Sequence, residues 1–159
     1  MNKKIVVYPG SFDPFTIGHK DLVLRAKKIF KHVVIAVLKN PKKHTMFTAE
    51  ERMDIIKSYV DDIEGITIDS FEGLLVDYLK QKELNLIMRG MRMLSDFEYE
   101  FQMSLTNRKL YSDFEAIYLV PSIEYSFISS SIVKEIAQFK GDLDLLVNEY
   151  TKKKLYEKI

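Results

Sequence analysis

Several short segments of the sequence carry side chains that could bind phosphate groups. Ser11 and His19 lie in a turn rich in proline and glycine, and Arg89 and Arg92 flank a Gly90-Met91 dipeptide. Further along the chain, three consecutive serines occupy positions 129–131. Hydroxyl, imidazole and guanidinium groups of this kind bind polyanions, and no evident base or nucleophile accompanies them. The residue types therefore indicate a site that binds several anionic groups.

The turn that carries Ser11 and His19 joins a predicted strand to a predicted helix. The apolar run 5–8 is typical of a short buried strand, and it stops at Pro9-Gly10. An amphipathic helix follows, and we expect Leu22, Val23, Ala26, Ile29 and Phe30 on its apolar face. Gly10 would let the backbone approach a ligand closely, and Gly18 would allow tight packing where the helix begins. His19 would then point a titratable donor at an anion held by the N–H groups of the helix N-terminus.

The remaining chain alternates between strand and helix patterns. Thr48 and Glu51 predict a capping box for a helix that extends to Val60, Ser95 and Glu98 predict a second one, and Ser129 predicts a helix cap. Further strands are predicted at 33–38, 66–69, 86–88 and 116–120. Further helices are predicted at about 74–82, from the Ser95 cap onward with Phe97, Phe101 and Leu105 on one face, and from about 145 to 158.

Five apolar strands separated by helices predict a Rossmann-like, doubly wound α/β fold with a parallel sheet, in a single domain of residues 1–159. Such sheets bind ligands beyond the carboxyl ends of their strands. Ser11 and His19 follow the first strand, the basic loop 39–44 the second, Arg89 to Arg92 the fourth and the serines the fifth. Taken alone, the basic loop also fits an ordinary solvated loop. The common position of all four segments predicts a multi-anion site at one edge of the sheet.

The composition narrows the classes of protein that remain. The 159 residues are 47% apolar and carry 24 basic against 23 acidic side chains, so no strong charge favours nucleic acid or a membrane surface as a partner. The absence of cysteine excludes disulfides and thiolate zinc sites and suits a cytoplasmic protein. We find no signal peptide and no run of membrane-spanning length. The G-x-S-x-G, Walker A and G-x-G-x-x-G patterns are also absent.

The segment Thr16-Ile17-Gly18-His19 resembles the T/H-x-G-H signature of the nucleotidyltransferase superfamily. The preceding Tyr-Pro-Gly-Ser-Phe-Asp-Pro is similar to the phosphopantetheine adenylyltransferase family, in which threonine is usual at the first signature position. Segments 46–52, 89–92, 96–100 and 125–131 resemble the same family in the same order, and the last contains the superfamily's Ile-Ser-Ser-Ser. Lys134 departs from the pattern, since many superfamily members have arginine there and lysine cannot make the bidentate contact.

The resemblance implies transfer of an adenylyl group from ATP to 4′-phosphopantetheine, which gives dephospho-CoA and pyrophosphate. His19 would stabilise the transition state. By similarity, the phosphopantetheine contacts would be Ser11, Lys43, Leu75 and Arg89. By similarity, the ATP contacts would be Ser11, Phe12, His19, Gly90, Met91, Arg92, Glu100, Tyr125, Ser126, Phe127, Ile128, Ser129, Ser130 and Ser131.

The resemblance also implies partners. Mg²⁺ would accompany ATP, bound mainly through phosphate oxygens, with no metal ligands predicted from the protein. The family is usually a homohexamer, and CoA is a candidate feedback ligand. Two alternative functions stay open at this point. One is another nucleotidyltransferase, acting on nicotinate mononucleotide or using CTP, and the other is an ATP-sensing module without catalytic activity.

Overall fold

A computed structural model describes residues 5–40 and 44–159 of the chain. Within these residues, five strands form one parallel sheet in the order β3-β2-β1-β4-β5. The strands are β1 (Ile5–Gly10), β2 (His32–Lys39), β3 (Ile66–Glu72), β4 (Leu86–Gly90) and β5 (Glu115–Leu119). The chain reverses its direction of winding between β3 and β4, so β1 and β4 lie side by side at the switch point of a doubly wound sheet. The predicted fold class is confirmed.

In the part of the chain that the structure describes, six α-helices connect or follow these strands. They are α1 (Ile17–Lys27), α2 (Ala49–Val60), α3 (Leu75–Gln81), α4 (Leu94–Leu110), α5 (Ser130–Gln138) and α6 (Glu149–Lys158). A short 3-10 helix (Ile123–Tyr125) lies between β5 and α5. None of the helices in the described part of the chain is long and apolar enough to cross a membrane.

The two faces of the sheet bury separate apolar clusters because side chains alternate along each strand. On one face, Val6 and Ile35 pack with residues of α1, α2, α5 and α6, and both are fully buried. On the other face, Val7 and Ala36 pack with residues of α3. Burial on both faces explains why β1 and β2 are continuous apolar runs rather than alternating ones. Because all the strand pairings are parallel, the five carboxyl ends lie at the same edge of the sheet.

Several predicted helix boundaries need correction. α1 ends at Lys27, so Ile29 lies beyond the helix and is 61% exposed. The last helix begins at Glu149 with Asn148 as its cap, four residues later than predicted. The Ser95–Glu98 capping box is also wrong, because α4 already begins at Leu94 and the carboxylate of Asp96 accepts from the Met93 N–H at 3.3 Å. The Thr48–Glu51 capping box and the Ser129 cap are confirmed.

β4 is two residues longer than predicted, and this changes the role of its glycine. Arg89 and Gly90 belong to the strand and pair with Tyr118 and Leu119 of β5, so they do not form a turn after it. A Cβ atom on Gly90 would lie 2.5 Å from a methyl group of Leu22. Gly90 therefore makes room for the Leu22 side chain where α1 packs on β4.

Candidate active site

A cavity of about 330 Å³ lies beyond the carboxyl ends of β1 and β4, as the sequence predicted for an anion site. Its wall is built from the turn after β1, the start of α1, the end of β4 and the segment that leads into α5. The predicted ATP contacts that line it are Ser11, Phe12, His19, Gly90, Arg92, Tyr125, Ile128, Ser129, Ser130 and Ser131. Among the described residues of that prediction, Met91, Glu100, Ser126 and Phe127 are not part of this lining.

His19 is held in one orientation by the cap of its own helix. The Thr16 N–H donates to His19 Nδ1 at 3.0 Å, while the Thr16 hydroxyl oxygen accepts from the His19 N–H at 3.3 Å. An Nδ1 that accepts a hydrogen bond carries no proton, so a neutral ring has its proton on Nε2. The capping interaction therefore fixes the tautomer that turns an N–H donor away from Thr16.

The surroundings keep this imidazole uncharged. Burial, together with the smaller effect of the positive charges of Arg92 and Arg89, lowers the pKa of His19 to about 3. The rings of Phe12 and Phe15 lie 5.3 and 5.1 Å from the imidazole and form its apolar surroundings. Near neutral pH, His19 is consequently a neutral hydrogen-bond donor rather than an imidazolium.

Phe12 adopts a backbone conformation that a bulky residue rarely takes. Its φ is 49°, in the left-handed region, and strain of this kind is retained where the surroundings fix it. Its ring packs edge-on against Tyr8 at 5.1 Å, and a Cβ atom on Gly10 would lie 2.7 Å from that ring. Gly10 therefore makes room for Phe12. It also lines the cavity, and the predicted close approach to a ligand stays a prediction.

Two charged residues that we did not predict as site residues hold the turn after β1 in place. Both oxygens of the buried Asp13 carboxylate are used, since Oδ1 accepts from the Phe47 N–H at 2.9 Å and Oδ2 from the Met46 N–H at 3.0 Å. Asp13 Oδ2 also lies 2.9 Å from Nζ of Lys134, which lines the cavity. Arg52 is 3% exposed and donates through Nη1 to the Ser11 carbonyl at 2.6 Å.

Both residues lie in segments that resemble the family, but nothing in the local sequence indicates what either side chain contacts. A carboxylate is not expected beside an anion site, and its role as an acceptor for the loop before α2 depends on the three-dimensional fold. Arg52 looks like an ordinary helix-surface charge, and only its buried position on α2 distinguishes it.

α5 presents its N-terminus to the cavity. The Ser129 hydroxyl oxygen accepts from the Ile132 N–H at 3.2 Å, and the Ser130 hydroxyl donates to the Pro14 carbonyl at 2.8 Å. First-turn N–H groups of a helix attract phosphate through their partial positive charge. Arg92 extends across to the same segment and donates to the Ile128 carbonyl at 3.1 Å. The cavity thus combines a helix N-terminus, the His19 donor and three cationic side chains, those of Arg89, Arg92 and Lys134.

A second cavity, of about 480 Å³, shares a wall with the first one. Pro9, Gly10, Ser11 and Arg89 line both, so the two spaces meet at the end of β1. Three of the predicted phosphopantetheine contacts, Ser11, Leu75 and Arg89, line this second cavity. Its other walls are largely apolar and include Leu38, Phe71, Leu74 and Met103. Lys43, the fourth predicted contact, lies outside the described residues.

Glu100 lies in the second cavity, beside Arg89, rather than with the other predicted ATP contacts. Its Oε1 accepts from Nε and Nη2 of Arg89 at 2.9 and 2.6 Å, and Arg89 Nη1 donates to the Pro9 carbonyl at 2.5 Å. Burial alone would lower the pKa of Arg89, but the hydrogen bonds and negative charge of Glu100 raise it above its usual value. These bonds fix the guanidinium and leave N–H donors on its terminal nitrogens.

No group of three or more His, Asp or Glu side chains that could hold a metal ion occurs in the described parts of the chain. The polar groups around the first cavity are mainly hydrogen-bond donors, which suit phosphate oxygens rather than a cation. Its residues therefore fit a divalent ion that enters with the nucleotide, and not an ion bound by the protein alone.

The fold and the site define a nucleotidyltransferase, because a doubly wound sheet places a T-x-G-H turn and a serine-capped helix around one anion cavity. The family model for cytidylyltransferase-like proteins matches residues 7–136. Curated relatives narrow this class. The chain is 51% identical over 152 residues to a phosphopantetheine adenylyltransferase from Dictyoglomus turgidum, covering 96% of this chain and 95% of the relative. It is 52% identical over 155 residues to one from Carboxydothermus hydrogenoformans, covering 98% and 96%.

The chain belongs to the phosphopantetheine adenylyltransferase family. A solved structure, the nicotinic acid mononucleotide adenylyltransferase of Plasmodium falciparum, has a TM-score of 0.67 and covers 98% of this chain and 95% of that one. Its sequence identity is 19%, so this likeness concerns the fold alone. The predicted family is confirmed, and neither alternative function is favoured by these relatives.

Proposed function

We propose that this protein transfers the adenylyl group of ATP to 4′-phosphopantetheine and releases pyrophosphate and dephospho-CoA. The observation that carries this proposal is the shared wall of the two cavities at Pro9, Gly10, Ser11 and Arg89. One cavity is lined by phosphate-binding groups and the other is largely apolar. Two ligands that filled them would meet at the end of β1, where their reacting groups could be aligned.

The first cavity suits the nucleotide. Arg92, Lys134 and the N-terminus of α5 would hold the triphosphate, and the ion pair of Lys134 with Asp13 keeps its ammonium group at the cavity wall. ATP would bring Mg²⁺ with it as part of the substrate, which adds neutralising charge to the phosphates.

The second cavity suits the acceptor. Leu75 and its apolar neighbours would contact the flexible pantetheine arm, and Ser11 and Arg89 lie where its terminal phosphate would arrive. Arg89 would donate to this phosphate through the N–H groups that Glu100 and Pro9 do not occupy. Since Glu100 offsets the charge of Arg89, further cations are needed for binding, and we keep Lys43 as a predicted contact.

The reaction needs no general base. The second pKa of a phosphate monoester is about 6, so the acceptor phosphate is mostly dianionic at neutral pH. One of its oxygens would form a bond to the α-phosphorus of ATP while the bond from that phosphorus to the bridging oxygen breaks. Pyrophosphate then leaves with the bonding electrons. The protein has to align two polyanions and stabilise the charge that develops between them.

His19 supplies a hydrogen-bond donor that does not have to change its orientation or protonation during the reaction. Its tautomer is fixed before the substrates bind, because Thr16 occupies Nδ1, and its Nε2–H can donate to an oxygen of the reacting phosphate. A neutral donor also avoids placing a permanent cation in the apolar surroundings formed by Phe12 and Phe15. On this basis His19 is the transition-state stabiliser.

Other properties remain predictions by family resemblance. They are the homohexamer, CoA as a feedback ligand and the cytoplasm as location. In a single chain, Phe97, Phe101 and Leu105 of α4 are 44–53% exposed, so they do not belong to the core and could contact another subunit. Light scattering behind a sizing column would measure the number of subunits.

The proposed function is tested by measuring pyrophosphate release with ATP and a panel of acceptors. We expect turnover with 4′-phosphopantetheine, because it carries the attacking phosphate and an arm that fits the apolar cavity. Unphosphorylated pantetheine lacks the nucleophile and should give no product at any concentration. Nicotinate mononucleotide should not react either, since its ribose and charged ring do not suit the apolar walls. Efficient use of the mononucleotide would contradict the proposal.

A further inference from the structure

The nucleotide cavity is formed by two separate parts of the chain that must be held in register. One part is the turn after β1 with the start of α1, including His19. The other is the segment that runs from Pro121 into α5. A small error in their relative position would separate the His19 donor from the phosphates held by α5.

Asp21 joins these two parts from outside the cavity. It lies on α1, two residues after His19, and does not belong to the lining of either cavity. Its Oδ2 accepts from the Ser122 N–H and its Oδ1 accepts from the Ser122 hydroxyl, both at 2.9 Å. One carboxylate therefore fixes both the backbone and the side chain of Ser122.

The contact lies close to residues that line the cavity. Ser122 follows Pro121 and directly precedes the 3-10 helix, whose last residue is Tyr125. Both Pro121 and Tyr125 line the nucleotide cavity. α1 approaches this segment closely, since a Cβ atom on Gly18 would lie 3.4 Å from the Tyr125 carbonyl oxygen. A shift of Ser122 would therefore move the wall against which the nucleotide binds.

We infer that Asp21 is a positioning residue for the nucleotide, which sets ATP affinity by fixing the segment after Pro121 against α1. The inference rests on the proposed function only in taking ATP as the ligand of the first cavity. Asp21 does not touch the substrate, and its effect passes through Ser122. Because the second cavity does not involve this segment, acceptor binding should be largely independent of Asp21.

The experiment is calorimetric titration of ATP, and separately of 4′-phosphopantetheine, into the purified protein and its variants. Asp21→Ala removes both acceptors and should weaken ATP binding about tenfold, with acceptor affinity within about twofold of wild type. Asp21→Asn can still accept from the Ser122 N–H and can donate to the Ser122 hydroxyl, so it should restore most of the ATP affinity. ATP binding is measured without turnover, so a different natural acceptor would not affect this result.

Asn85→Ala is the matched control. Asn85 Nδ2 donates to the Asp113 carbonyl at 2.9 Å and joins two loops at the opposite, amino-terminal end of β4 and β5. This variant should bind ATP like wild type. If Asp21→Ala does not fold, Ser122→Ala tests the inference instead. This variant removes only the hydrogen bond from the Ser122 hydroxyl to Asp21, and it should weaken ATP binding about threefold.

Wild-type ATP affinity in folded Asp21→Ala would overturn the inference. If Asp21→Ala does not fold, wild-type ATP affinity in Ser122→Ala would overturn it. An equal loss of affinity for both ligands would also overturn it, since this would show a general structural role. Failure of Asp21→Asn to recover affinity would show that hydrogen bonding to Ser122 is not the cause.

Discussion

Replacing His19 by alanine tests the proposal that its Nε2–H group stabilises the transition state. The variant loses the Nε2–H donor and also the Nδ1 acceptor of the Thr16 N–H, but it keeps the positions of Arg92 and α5. Removing one preorganised donor to a developing oxyanion lowers kcat about 10²–10³-fold, or roughly 2.7–4 kcal/mol. We expect a loss of this size in His19→Ala.

ATP affinity should change far less than kcat. A donor aimed at charge that develops in the transition state contributes little to the bound ground state. The triphosphate also keeps Arg92, Lys134 and the N-terminus of α5. We therefore expect ATP binding to weaken by no more than about threefold.

The assay is single-turnover formation of dephospho-CoA, because it separates the chemical step from product release. His19→Gln is a useful companion variant, since its side-chain amide can donate a hydrogen bond and should recover part of the rate. Circular dichroism would establish that both variants are folded. Near-normal turnover in folded His19→Ala, or a loss confined to ATP binding, would refute the role that we assign to His19.

Further predictions concern the pH dependence of stability, the assignment of one substrate to each cavity, and the ion pair between Asp13 and Lys134. Because the pKa of His19 is lowered to about 3 in the folded state, the unfolded chain binds the additional proton as the pH falls below 6.5. As the pH is lowered from 6.5 to 3, the free energy of unfolding measured in urea should therefore fall by up to about 1.4 kcal/mol per pH unit. His19→Gln cannot bind this proton, so its free energy of unfolding should depend less steeply on pH. Equal slopes in the two proteins would contradict the lowered pKa of His19. In steady-state kinetics, Leu75→Ala should raise KM for the phosphorylated acceptor several-fold, and Ser130→Ala should raise KM for ATP to a similar extent. If either variant raised KM for both substrates equally, the assignment of the two cavities would be wrong. Asp13→Asn leaves Lys134 without its buried counter-ion. Because the Lys134 side chain is 28% exposed and can be solvated, this variant should lower the free energy of unfolding by about 2 kcal/mol in the same urea assay. A change under about 1 kcal/mol would show that this ion pair does not hold the turn.

The sequence predicted the fold well because the signals were strong and local. Buried parallel strands require continuous apolar runs, and β1 and β2 have them without polar interruption. The Thr48 and Ser129 caps were predicted correctly for the same reason, since a cap bonds to backbone within three residues. Boundaries were predicted less well where tertiary contacts decide them, as at β4, where pairing with β5 extends the strand through Gly90.

The sequence predicted which phosphate-binding side chains lie at the candidate site, but it did not predict the hydrogen-bond and ion-pair partners that hold them. The position of polar residues after strand ends was enough to bring His19 and Arg92 to one cavity. Contacts that connect distant parts of the chain had no local signal. The Arg89–Glu100 pair, the Asp13–Lys134 pair and the Arg52 bond to the Ser11 carbonyl all depend on the packed structure.

The central claim is direct attack of the acceptor phosphate on the α-phosphorus of ATP, without a covalent intermediate on the protein. The most direct test uses one diastereomer of ATP with sulfur on the α-phosphorus, together with 4′-phosphopantetheine, and determines the configuration at phosphorus in the product. A single in-line displacement predicts sulfur-substituted dephospho-CoA with inverted configuration. Retained configuration would show two displacements and a covalent intermediate, and it would contradict the account.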